Sequence, residues 1–218
     1  MHMETHTGRF RVYRVVESVP HVNFFDTEAT RLYTVYQSGY GELQDAIDEL
    51  RTGDLVDATL AGDPEDPEEA WSVRSVERVD RVRMAFAVDA DIPAVANELW
   101  TDGQDRPTSA VLETDGEPVA EVAVQPREPL PGGSFVPSVL TGLVPMEERL
   151  TALPSVGEPV TDALFIDPDG PGADRYSRPF GVVVLFSEAA TALREEFYAA
   201  YDVDPAGDSR PDYDPYGI

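Results

Sequence analysis

The chain contains no cysteine and no lysine. Without cysteine there is no disulfide framework, no thiolate metal site and no thiol nucleophile. Without lysine there is no Schiff-base chemistry and no phosphate-binding loop of the lysine type. Histidine is scarce too: His2, His6 and His21 are the full set, and two of them precede the first expected strand. A histidine-built metal site or a serine triad would need His21, which follows Pro20 in an expected loop, and no G-x-S-x-G elbow occurs. Long apolar runs are missing as well. The longest, Val182 to Phe186, falls far below the ~20 residues of a membrane-spanning helix. The opening "MHMETHTG" has no secretory apolar core. These absences point to a cytoplasmic, soluble protein with no cofactor and no membrane partner.

What abounds is acid. Forty-two carboxylates face sixteen cations, all arginine, for a net charge of −26 over 218 residues. Uncancelled charge of this size opposes compaction, but near-molar salt shortens the screening length to about 3 Å and mutes the repulsion. Carboxylates keep a surface hydrated, and arginine pairs them through a rigid fork where lysine would expose an apolar stem. The composition is that of a salt-in halophile, so the surface charge reports on the solvent more than on partners. With 42% apolar and 9% aromatic residues, most of the chain should fold around a core.

The pattern along the chain predicts an α+β fold: a coiled N-terminal sheet or small barrel, then an α+β layer with a final strand and helix. The expected domains are 8–88 and 89–201, with 202–218 a mobile acidic tail rich in aspartate and proline. "RFRVYRVV" (9–16) alternates and then shifts phase at Val12–Tyr13, which suggests a bulge. "RLYTVYQ" (31–37) and "DLVDATLAG" (54–62) read as strands around a short helix at 41–50. Residues 66–69, "DPEE", have the form of a helix entrance, but the valine-rich, leucine-free run after them favours a strand over 71–79 and another over 81–88. A short helix at 92–99 capped by Asp91, a hairpin turning at Asp115-Gly116, strands at 159–166 and 179–186, and a helix over 187–201 capped by Ser187 complete the reading.

Three sets of residues invite a functional reading. Gly39-x-Gly41 ahead of a helix lacks the third glycine of a dinucleotide turn and reads as a helix entrance. Asp167, Asp169 and Asp174 in "DPDGPGAD" are the oxygen-rich cluster a hard divalent cation would take, though the spacing misses the EF-hand and acids crowd every loop. "WSVRSVERVDRVR" (71–83) gathers Arg74, Arg78, Arg81 and Arg83 beside Trp71. On a strand, Arg74 and Arg78 share a face, with Arg81 and Arg83 on the other face or past a break at Asp80. Trp71 with Arg74 and Arg78 could stack a base and hold phosphate. Internal pairing with Glu68, Glu69, Glu77, Asp80 and other acids is the favoured alternative.

"GRFRVYR" (8–14), "LRTGDLVDATL" (50–60), "WSVRSVERV" (71–79) and the ending "PFGVVVLF" plus helix resemble an uncharacterised family of haloarchaeal proteins over residues 8 to about 201. The shared motifs are structural and imply no activity or site. The leading expectation is a non-enzymatic interaction or binding module of unknown partner, with a protein as one candidate and nucleic acid not favoured. A nucleic-acid-binding small barrel and a carboxylate-based divalent-metal hydrolase stand as alternatives.

Overall fold

The computed structural model describes residues 3–15, 19–66 and 69–213. Pro67 and Glu68 of the expected helix entrance, and the end of the tail, lie outside these residues. The fold is mixed α+β, with ten strands in two open five-stranded sheets and short helices between them. Two compact units result: Met1–Val82 with Leu140–Gly142, and Arg83–Val139 with Leu143–Tyr213. No helix among the described residues is long and apolar enough to cross a membrane.

The first unit holds β1 (Glu4–Tyr13), β2 (His21–Asp26), β3 (Leu32–Tyr36), β4 (Asp54–Gly62) and β5 (Ser72–Arg81), in the order β3-β2-β1-β4-β5. Every ladder is antiparallel. The chain from β3 to β4 forms a one-turn 3-10 helix and α1 (Gln44–Asp48), which puts Ile47 and Leu50 against Phe10, Phe24, Val35 and Leu60. Gln44 reaches back to accept from the Gly39 and Tyr40 amides, and Arg14 donates to the carbonyls of Ile47, Asp48 and Leu50 at the far end. A cation on the last carbonyls of so short a helix satisfies acceptors that have no partner within it. At the sheet's two ends β3 and the start of β5 run parallel and touch at one bridge, Val35 to Trp71.

Two expectations for this unit are corrected. β1 carries no bulge, since its register with β2 and β4 runs unbroken. The phase shift at Val12–Tyr13 marks a stretch covered on both faces, with Arg11 buried and donating to the Gly53 carbonyl. The bulges lie in β5 instead, where Arg74 and Val79 are the unmatched residues against β4. His21 also leaves its expected loop: it opens β2, a strand whose outward Phe25 and buried Asp26 masked its alternation.

The second unit holds β6 (Arg83–Val88), α2 (Ala94–Leu99), β7 (Thr108–Thr114), β8 (Glu117–Pro126), α3 (Phe135–Leu140), α4 (Glu147–Thr151), β9 (Val160–Asp167), β10 (Phe180–Ser187) and α5 (Thr191–Ala200). The sheet order is β6-β9-β10-β8-β7, with β6 parallel to β9 and the rest antiparallel. β6, grouped with the N-terminal domain on sequence, belongs to this sheet. Val122, Val124, Leu164, Val182, Val184 and Phe186 form one apolar face, against which Leu193, Phe197, Tyr198 and Tyr201 of the last helix region pack. The alternate residues, Phe86, Phe165, Val183 and Leu185, are equally buried on the other face, where Phe135 leans on Phe165. Full burial of both faces explains why β9 and β10 read as unbroken apolar runs.

The Asp115-Gly116 turn has φ of 54° and 83°, the left-handed pair a tight hairpin requires. Ser187 does not cap the last helix through its side chain; its hydroxyl donates to the Val119 carbonyl. Neither is α2 capped by Asp91, for Pro93 occupies that position without a side-chain bond. The tail to Tyr213 is held: Val203 is buried in the core cluster and Ser209 accepts from the Phe86 amide. Its last five residues lie outside the described set.

Gly181 marks the closest contact in this unit, since an added Cβ would sit 2.0 Å from the Phe135 ring. Gly181→Ala is expected to lower stability by about 1–3 kcal/mol through overpacking. In Phe135→Ala, itself costly, the same substitution should be nearly silent, so denaturant titrations of the double-mutant cycle should show strong coupling.

Candidate functional site

Each arginine of the 71–83 stretch has its own setting. Trp71 is 7% exposed, its indole over Gly62, where an added Cβ would come within 2.5 Å, and edge-on to Tyr33 at 5.0 Å. It is a core residue and presents no face for a base, which corrects its assignment as a stacking platform. Arg81 forks onto the buried Asp54. Arg83 lies in the other sheet's β6 and forks onto Asp162 at 2.7 and 2.9 Å. Arg74 and Arg78 remain exposed, with no ion pair among the described residues. The bulge at Arg74 breaks the strand parity that would set the two on one face: Arg78 opposes Val56, while Arg74 opposes nothing.

Arg74 does gain neighbours that the sequence had not marked. Tyr40 donates from its hydroxyl to the Tyr36 carbonyl at 2.6 Å and accepts from the Val73 amide. Burial pushes the Tyr40 phenol up, with the Val73 amide and the Arg74 charge pulling the other way. Across the β2–β3 ladder, His21 pairs with Tyr36, ring centroids 5.9 Å apart. Tyr36 is 39% exposed. His21 and Tyr36 thus form an aromatic pair, tied through the Tyr40 hydroxyl to the backbone at Val73, next to Arg74, where β3 meets the start of β5. Further along the same outer face, Asn23 donates to the Thr141 carbonyl and Gly142 lies against Tyr13 and Leu32. The His21–Tyr36 end is open. Strand alternation could have flagged Tyr36 on "LYTVY", but nothing in the sequence places Arg74 beside it.

Asp167 and Asp169 do come together, around an arginine. Arg127 donates to Asp167 and Asp169 from its two terminal nitrogens, to the Gly133 carbonyl, and from Nε to the Arg178 carbonyl. Five contacts consume its five N–H groups. The carboxylates also accept the amides of Val136, Asp169 and Ser177. Asp174 stays exposed in the loop, and no group of three acids or histidines among the described residues is placed to hold a metal ion. The cation-site assignment is therefore corrected to a buried ionic clamp. Above it opens a 690 Å³ cleft lined by Trp100, Gln104, Glu128, Tyr176 and Arg178. At its floor Arg127 is saturated and lies 4.0 Å over the Tyr176 ring.

A second buried carboxylate, Asp162, takes Arg83, Arg194, Thr161 and Tyr198. Burial raises its pKa, but these partners outweigh burial and hold it below the usual carboxylate range. The same burial and the nearby carboxylate push the Tyr198 phenol up.

Residues 2–169 match the family of unknown function DUF6663. The chain belongs to that family. The match covers both sheets up to the end of β9 and carries no assigned activity, and no curated protein and no solved structure matches the chain.

Two outcomes test these ionic clusters. Arg127→Met, which leaves two buried carboxylates without a counter-charge, should cost about 3–5 kcal/mol in denaturant unfolding. Asp162 is depressed in the folded state, so its contribution is full above the ordinary carboxylate pKa and is lost as pH falls through the lower folded value. Asp162→Asn should therefore be less stable at neutral pH and show a shallower loss of stability below about pH 4. Asp26, depressed in the same direction by the Ala29 and Glu28 amides and His6 against its burial, should keep part of the acid dependence.

Proposed function

We propose that this protein is a non-enzymatic binding module whose first unit is a small, partly open barrel that holds single-stranded nucleic acid. The observation that carries the reading is the Val35–Trp71 bridge, which brings the two ends of the β3-β2-β1-β4-β5 sheet together in parallel. With α1 inserted between β3 and β4, this connectivity supports a likeness to the oligonucleotide/oligosaccharide-binding fold, whose ligands lie on the face of strands 2 and 3. In this chain that face ends in His21 and Tyr36, with Arg74 alongside. Exposed rings and an uncommitted guanidinium are the elements with which such surfaces stack bases and meet the backbone. Fold likeness alone does not specify a ligand, so the patch bears the weight.

The net charge of −26 opposes a polyanion. Affinity must then come from stacking, and salt helps by screening repulsion where it ordinarily weakens binding through counterion release. This fits the salt-rich cytoplasm of a halophile, the habitat the composition supports. The test is fluorescence anisotropy of a labelled oligouridylate in molar KCl. Binding should persist or tighten as salt rises, and Tyr36→Ala and Arg74→Gln should each weaken it by about tenfold, the loss of roughly one stacked base. A flat titration, or variants that bind as the parent does, would overturn the reading.

A further inference from the structure

An edge strand offers unpaired backbone groups to any other strand, and proteins protect such edges with charge, proline, bulges or a cover. The two sheets have four edges, β3, β5, β6 and β7. Three are protected. β3 is tied to Trp71 by two backbone hydrogen bonds, Tyr36 N to Trp71 O and Trp71 N to Thr34 O. β5 is bulged at Arg74 and Val79 and bristles with Glu77, Arg78 and Asp80. β6 donates its Phe86 amide to Ser209.

β7, "TSAVLET", has none of these devices. It is regular, the bulge in its ladder falling at Val119 of β8, and its main chain bonds only to β8 among the described residues. Glu113 is its single charge, in a chain where charged residues make up 27%. Val111 stands 38% exposed at its centre.

We propose that β7 is the interface for a second copy of this chain, pairing antiparallel across a two-fold axis at Val111 and joining two five-stranded sheets into one. The strand is complementary to its own reverse. In that register Val111 meets Val111, Ala110 meets Leu112, Ser109 meets Glu113 and Thr108 meets Thr114. The one carboxylate faces a hydroxyl and not its own copy, so the like-charge penalty across a ladder is avoided. Ala110 and Leu112 already pack on the core of the second unit, and pairing extends that apolar face from one copy to the next. Such an isologous contact closes on itself and gives a dimer, not a fibre. Each copy carries −26, so association strengthens with salt.

The absence of cysteine provides a clean test. Analytical ultracentrifugation of the full chain in molar KCl should show a dimer that dissociates at low salt. Val111→Arg, which sets like charges opposite each other, should weaken association by about tenfold or more, while its thermal melt at low salt, where both proteins are monomers, matches that of the parent. Val111→Cys should form an intermolecular disulfide on mild oxidation, well ahead of Val79→Cys, an equally exposed position on the protected β5 edge. A wild-type monomer in molar KCl, a Val111→Arg dimer of wild-type affinity, or equal cross-linking at the two positions would each overturn the proposal.

Discussion

Arg127 ties together five points of the second unit that are distant in sequence: the end of β8, the turn at Gly133, the end of β9 at Asp167, the loop at Asp169 and the chain at Arg178 before β10. It is 4% exposed, and its two carboxylate partners are 2% and 8% exposed. A low-dielectric interior strengthens such a network and makes a missing partner costly. The loops at this end of the sheet therefore depend on one cation. The same economy recurs elsewhere. Arg83 and Arg194 hold Asp162, Arg149 holds Glu121, Arg81 holds Asp54, and Arg14 closes the end of α1. Five of the sixteen arginines pair with buried carboxylates, while Arg9 and Arg210 pair with the exposed Asp57 and Asp208. Most surface acids are left to water and dissolved ions.

That constraint also says where to look for a binding face. Several arginines among the described residues stay exposed without a carboxylate, and Arg74 is the one whose charge acts on Tyr40, the residue that bonds the Tyr36 carbonyl. Trp71, the more conspicuous residue in the sequence, is drawn inward because it joins the two ends of the first sheet. The β7 edge is a departure from the pattern: nearly uncharged in an acidic chain, and regular where the other edges are bulged, tied or covered. Both features depend on which acids are missing from a neighbourhood, not on which residues are present.

Legibility in the sequence followed the physics of each signal. The Asp115-Gly116 hairpin, β9, β10 and the last helix were plain, because turn chemistry and apolar runs act locally. The strand over 72–81 was legible from its valines and its lack of alanine and leucine. β2 was lost because Phe25 faces outward and the acid Asp26 inward, which breaks the apolar–polar alternation at its end. Bulges at Arg74 and Val79 were invisible because register is decided by the partner strand. Asp167 and Asp169 were seen as neighbours in an acidic loop, with a cation as the lesser alternative, and nothing in the sequence places Arg127 between them. Acids this frequent carry little information until the partner is known.

The account rests on a division of labour in which buried arginine clamps hold local structure while dissolved ions quiet the remaining surface charge. The most direct measurement is cooperative thermal unfolding followed by circular dichroism from millimolar to molar KCl. The melting temperature should climb steeply with salt and flatten only as the screening length approaches about 3 Å near 1 M. A melting temperature independent of salt would contradict it, and would mean that the −26 charge is held by the fold alone.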